Sequence, residues 1–180
     1  MDSYYLMDTM VSLLPQMVEN LGQARGQASG FAVKQMFSQQ QSIKLTSLLS
    51  TVQQNIDALK RGSEVFFRAN PDIFAQVNND ITQAVSLSEN YLQLLESEIL
   101  NTELISIPAT SVFERGTETI AANFRLLDHL APELNKLLQQ RADKYSNKMI
   151  MISILVICMT LLAIYLFSGF YQSFITAIKK

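Results

Sequence analysis

The sequence predicts an all-α protein, an elongated antiparallel helical bundle continuous with one C-terminal transmembrane helix. Three observations carry this. The stretch MIMISILVICMTLLAIYLFSGF, Met149 to Phe170, holds no charged residue over about 22 positions, enough helix to cross roughly 30 Å of hydrocarbon. Upstream, three stretches keep apolar residues at alternating intervals of four and three, the mark of one helix face. Glycine and proline number only 6 and 4, and no stretch alternates with period two as a half-buried strand would.

The first element spans residues 3 to 30. Leu6, Met10, Leu13, Met17 and Leu21 share one face, Ser3 is a candidate cap, and Pro15 marks a kink or a restart. Gly22, Gly26 and Gly30 lie four apart. On a helix they form a groove that admits another backbone, at about 1 kcal/mol per glycine relative to alanine; the alternative is a break between Gly26 and Gly30. The continuous but weak helix is preferred, since no strong turn pair is present.

Residues 31 to 69 form the second stretch, with Leu45, Leu49, Val52, Ile56, Leu59, Ser63 and Phe66 as a heptad seam that weakens through the polar SQQQS at 38–42. Asn70-Pro71 ends it, because proline disfavours helical geometry in the residue before it. Residues 71 to 104 form the third. Pro71 suits a first helical turn and Asp72 the positive end of its dipole, and Phe74, Val77, Ile81, Ala84, Ser88, Tyr91 and Leu95 face one way. The helix fades at Asn101 and Thr102, and Ser106 to Pro108 reads as a connector.

The fourth, residues 110 to 148, places Phe113, Thr117, Ile120, Phe124, Leu127, Ala131, Leu134 and Leu138 on the seam. Pro132 falls inside the pattern and the register survives it, so a kink is expected and not an end. No glycine or proline intervenes from Glu133 to Ser168, and the helix is expected to run into the membrane. Within the anchor, Ser153 and Thr160 are tolerable because their hydroxyls bond back to a carbonyl one turn earlier, and Tyr165 and Tyr171 suit the interface. The expected domains are a helical body at 1–148, a transmembrane helix at 149–171 and a short cytoplasmic tail at 172–180. An uncovered seam of five or six large side chains forfeits roughly 1.5–3 kcal/mol each, so a homodimer or partner helices are expected to complete the bundle.

The net charge of −2 argues against nucleic acid. Cys158, the single cysteine, lies in the anchor, and His129, the single histidine, has no second ligand of its kind, so no metal site and no cofactor are expected. Serine, cysteine and histidine are not arrayed for nucleophilic catalysis, and Glu96 and Glu98, two apart, do not share a helix face; the chain is read as no enzyme. The N-terminus lacks the charge and apolar core of a secretory signal. Lysines and arginines flank the anchor on both sides, so charge alone leaves its orientation open.

The stretches DSYYLMDTMVSLLPQMVENLGQARGQASG and FERGTETIAANFRLLDHLAPELNKLLQQRAD, followed directly by the anchor, resemble the extracytoplasmic sensor region and second transmembrane helix of bacterial methyl-accepting chemotaxis proteins and related sensor kinases. The resemblance implies a periplasmic bundle on a single-pass inner-membrane anchor, in a signal-transduction protein. That plan has a first membrane helix before the sensor and a HAMP linker after the second. Neither is present here, so a fragment is expected, able to sense but not to signal. Ligand binding would then move the fourth helix by an ångström or two against its neighbours. A sensor of this kind holds its ligand between helices. For a small anionic ligand the candidates are Arg25, set among glycines, and Arg115 with Thr117, since a guanidinium fork matches carboxylate oxygens; Arg68 and Arg125 are weaker. The alternative function is a membrane-tethered coiled-coil interaction protein without ligand sensing.

Overall fold

The computed structural model describes residues 2–69 and 71–178, with the side chains of 4–66, 68, 71, 73 and 75–169. The expectations for the side chains of Ser3, Asp72, Phe74 and Tyr171 lie outside the described side chains, and those for Asn70 and the final lysines outside the described residues. The described chain is helical with no strand. Helices α1 (Asp2–Asp8) and α2 (Leu14–Lys34) are joined by a π-helical turn, Thr9–Leu13; α3 (Gln39–Ala69), α4 (Pro71–Leu95), a second π turn (Glu96–Leu100) and α5 (Ala109–Ile178) follow. Two compact units result, Met1–Asn135 and Lys136–Lys180.

In the first unit the helices run antiparallel. His129 of α5 meets Asp80 of α4 at 2.7 Å, and Asn123 meets Ser88 at 3.1 Å, so one helix descends as the other climbs. Lys60 of α3 reaches Glu89 of α4 at 2.6 Å. The core is built from the expected seam of α3 (Leu45, Leu49, Val52, Ile56, Leu59, Phe66) and of α4 (Val77, Ile81, Ala84, Ser88, Tyr91, Leu95), all buried.

Three local expectations are refined or corrected. Of the two expectations for Pro15, a kink or a restart, the restart holds and without a gap: α2 begins at Leu14. Pro15 sits in the first turn of α2, behind the π turn, where the Leu14 N–H reaches back to the Thr9 carbonyl. The wider turn accommodates the proline and puts Leu14 in the place expected for Leu13, while Leu6, Met17 and Leu21 are buried as expected. Leu14 is fully buried, while Leu13 and Met10 are only half-buried.

The helix also continues past Gly30 to Lys34, with the break at Gln35–Ser38. Ser38 and Gln41 close it reciprocally: Ser38 Oγ accepts the Gln41 N–H at 3.3 Å, and Gln41 Oε1 accepts the Ser38 N–H at 2.8 Å. This is a capping box written in the polar run that seemed only to weaken a seam. Gln35 is left-handed at φ 53°, a conformation that costs a side-chain-bearing residue roughly 1–2 kcal/mol. Gln35→Gly is therefore expected to stabilise the bundle by about 1 kcal/mol, read as a rise in the midpoint of chemical denaturation.

The third correction is the register of α5. The expected seam is mostly outside: Phe113 and Phe124 are 49% and 50% exposed. Thr117, Ala131 and Leu138 are exposed, and Ile120, Leu127 and Leu134 are half-buried. The buried face lies one residue earlier, at Val112, Gly116, Thr119, Asn123, Leu126 and Leu130. Both sets obey the same four-three spacing, and side-chain size pointed to the wrong one.

Pro132 lies inside α5 without ending it. An 18-residue window of α5 has mean hydropathy 2.8 and none of it is buried, so this helix is long and apolar enough to cross a membrane. The Thr160 hydroxyl donates to the Val156 carbonyl at 2.9 Å, as expected for a polar side chain in an apolar helix.

Candidate functional site

The candidate residues sit around Gly116. A Cβ built there would lie 2.7 Å from the Tyr91 hydroxyl and 2.8 Å from Arg25 Cγ and Tyr91 Cζ. Glycine thus lets a tyrosine from α4 and the arginine stem from α2 pass under α5 at a distance no other residue permits. The glycines expected to serve this purpose do not. A Cβ at Gly22, Gly26 or Gly30 would meet nothing within 4 Å; the small residues that bring α2 against its neighbours are Ala24 and Ala28, both fully buried.

Arg25 runs over this saddle to the outside. Its Nη1 donates to Thr117 Oγ1 at 2.9 Å, and the Thr117 hydroxyl donates to the Phe113 carbonyl at 2.8 Å. The guanidinium carbon stands 4.5 Å over the Phe113 ring, a cation–π contact worth about 0.5–1 kcal/mol at an exposed site. Arg25 Nε and the Tyr91 hydroxyl are both buried with no hydrogen-bond partner. Burial pushes the Tyr91 phenol well above the ordinary tyrosine range, against the opposing pull of the Arg25 charge, so it stays neutral.

Arg115 is elsewhere. It lines a cleft of about 290 Å³ between α4 and α5 with Asn90, Tyr91, Glu118 and Thr119. Neither Arg25 nor Thr117 lines that cleft. The structure therefore joins Arg25 to Thr117 and separates Arg115 from both. Arg68 and Arg125 are exposed.

Sequence reasoning missed a polar layer on the α4 side of α5. Thr119 Oγ1 donates both to the Arg115 carbonyl of its own helix at 2.8 Å and to the Leu87 carbonyl of α4 at 3.3 Å. Asn123 Nδ2 likewise serves the Thr119 carbonyl at 2.9 Å and Ser88 Oγ at 3.1 Å. The Ser88 hydroxyl donates to the Ala84 carbonyl at 2.7 Å. The signal that was available is Gly116 itself, a glycine among strong helix formers, which calls for a close approach.

Chemically, the Arg25 arrangement presents a guanidinium oriented by a hydroxyl and an aromatic face. It can engage an oxyanion and contains no nucleophile–base pair. No family model, no curated protein and no solved structure matches the chain.

Proposed function

We propose that the chain is the membrane-anchored sensory module of a chemoreceptor-like signal-transduction protein, acting by binding and not by catalysis. The observation that carries this reading is Arg25. A half-buried guanidinium is oriented by Thr117 and Phe113 on the outer face of a helical bundle, and α5 goes on to supply the apolar stretch. The ligand is a small anion held by Arg25 and Thr117, with Arg115 in the separate α4–α5 cleft. The body is periplasmic and the anchor crosses the inner membrane once. The part-exposed stripe of Phe113, Ile120, Phe124 and Leu127 pairs with the same stripe of a second copy. That stripe also favours the second reading, a tethered interaction protein that senses nothing.

Two measurements test the proposal. With Cys158 replaced by serine, a single cysteine at Ser47 is expected to react in intact cells with a membrane-impermeant thiol reagent, while one placed after Lys180 is not. The reverse pattern removes the sensory reading. Thermal unfolding in lipid nanodiscs with a panel of mono- and dicarboxylates is expected to show at least one that raises Tm for the native chain and not for Arg25→Ala. A Tm that responds to protein concentration and to no carboxylate favours the interaction protein.

A further inference from the structure

A second cleft lies where the first π turn faces α3. Tyr5, Asp8, Thr9 and Leu13 form one wall, with Arg61 and Gly62 opposite, around about 330 Å³. That volume is at the lower end of the range for small-molecule pockets. Two features set it apart from an ordinary surface groove.

The first is Gly62. It lies in the middle of α3, where glycine is the poorest residue other than proline. Its φ is not positive, and a Cβ there would meet nothing within 4 Å. Neither backbone conformation nor packing requires glycine, and what its missing side chain leaves open is the cleft.

The second is a pair of opposite charges on facing walls. Asp8 stands at the start of the π turn, yet its carboxylate makes no capping hydrogen bond. Neither it nor Arg61 has an ion-pair or hydrogen-bond partner among the described residues, and the two are not paired with each other.

We infer that this cleft binds a small zwitterion with an apolar body. Its carboxylate pairs with Arg61, whose planar fork suits two oxygens. Its ammonium pairs with Asp8, and its hydrocarbon lies along Tyr5 and Leu13 over Gly62. The inference is independent of the sensory reading: it shares no residue with the Arg25 arrangement, and either fails without the other.

The test is isothermal titration calorimetry of the whole chain in nanodiscs, with empty nanodiscs as the blank. The probes are L-leucine and 6-aminohexanoate, which separate the two charges by different lengths, with hexanoate and hexylammonium as single-charge counterparts. At least one zwitterion is expected to bind saturably, and its single-charge counterpart roughly tenfold more weakly or worse, the size of a lost charge-assisted hydrogen bond. Asp8→Asn and Arg61→Gln are each expected to weaken binding by a similar factor, and Gly62→Leu to abolish it by filling the floor. Arg61 is exposed, so its variant keeps the test decisive even where Gly62→Leu unfolds the bundle. No binding by either zwitterion, equal binding by hexanoate, or binding unchanged in Arg61→Gln would each overturn the assignment.

Discussion

Leu126→Ala is expected to lower the stability of the bundle by about 2–5 kcal/mol, the usual loss for a buried leucine that leaves a cavity. Phe124→Ala, a larger deletion two residues away, is expected to lower it by less than about 1 kcal/mol at dilutions where the chain is a single copy, because surface substitutions leave packing intact. Leu126 is fully buried and Phe124 is half-exposed. The contrast discriminates between the two four-three faces of α5. The measurement is thermal unfolding of the two variants by circular dichroism in detergent micelles. Equal losses would place the wrong face inside. A further loss at Phe124 that appears only at high protein concentration is what the proposed pairing with a second copy adds.

Gly116→Ala and Gly26→Ala are expected to move stability in opposite directions. In an exposed helix interior, glycine to alanine gains about 0.5–1 kcal/mol from backbone entropy. Gly26 is exposed and its new Cβ would meet nothing, so the variant should melt higher. At Gly116 the same methyl group would stand 2.7–2.8 Å from the buried Tyr91 ring and the Arg25 stem. Overpacking of this kind costs typically 1–3 kcal/mol, and the net effect is expected to be a lower Tm. Tyr91→Phe combined with Gly116→Ala should recover part of the loss, since the hydroxyl is the nearest atom and has no partner to lose. A Gly116→Ala variant as stable as Gly26→Ala would mean that α4 and α5 do not meet at this saddle.

Much of the fold was legible because burial on α3 and α4 follows residue size. Every described large apolar position of their seams is inside, and the four-three interval identifies it. The apolar run after Met149 was equally plain. On α5 the correlation fails. Its inner face carries Gly116, Thr119 and Asn123, chosen for close approach and hydrogen bonding, while Phe113 and Phe124 stand outside. A reading weighted by hydrophobicity selects the phenylalanines. On the first helix a single π turn puts Leu14 in the place expected for Leu13, while Leu6, Met17 and Leu21 stay inside, and the sequence sign of that insertion is no more than one proline. For the site, Arg25 and Thr117 were both named by residue type, but Thr117 was expected beside Arg115 and the structure puts it against Arg25. The separation of Arg115 followed from the one-residue register of α5, which sends neighbouring positions 115 and 117 to different sides of Gly116.

The hydrogen bonds of Thr119 and Asn123 have opposite mechanical consequences. The Thr119 hydroxyl has one proton, which holds the Arg115 carbonyl of its own helix and touches the Leu87 carbonyl of α4 as the other half of a bifurcated bond. Breaking that half strands no buried donor, and so avoids the penalty of about 1–3 kcal/mol that an orphaned group would impose. The Asn123 amide differs: it spends one N–H on the Thr119 carbonyl and the other on Ser88 Oγ of α4, and pulling the helices apart there would leave a buried N–H alone. Axial strain on α5 therefore meets little polar resistance at Thr119 and is pinned one turn later, at Asn123.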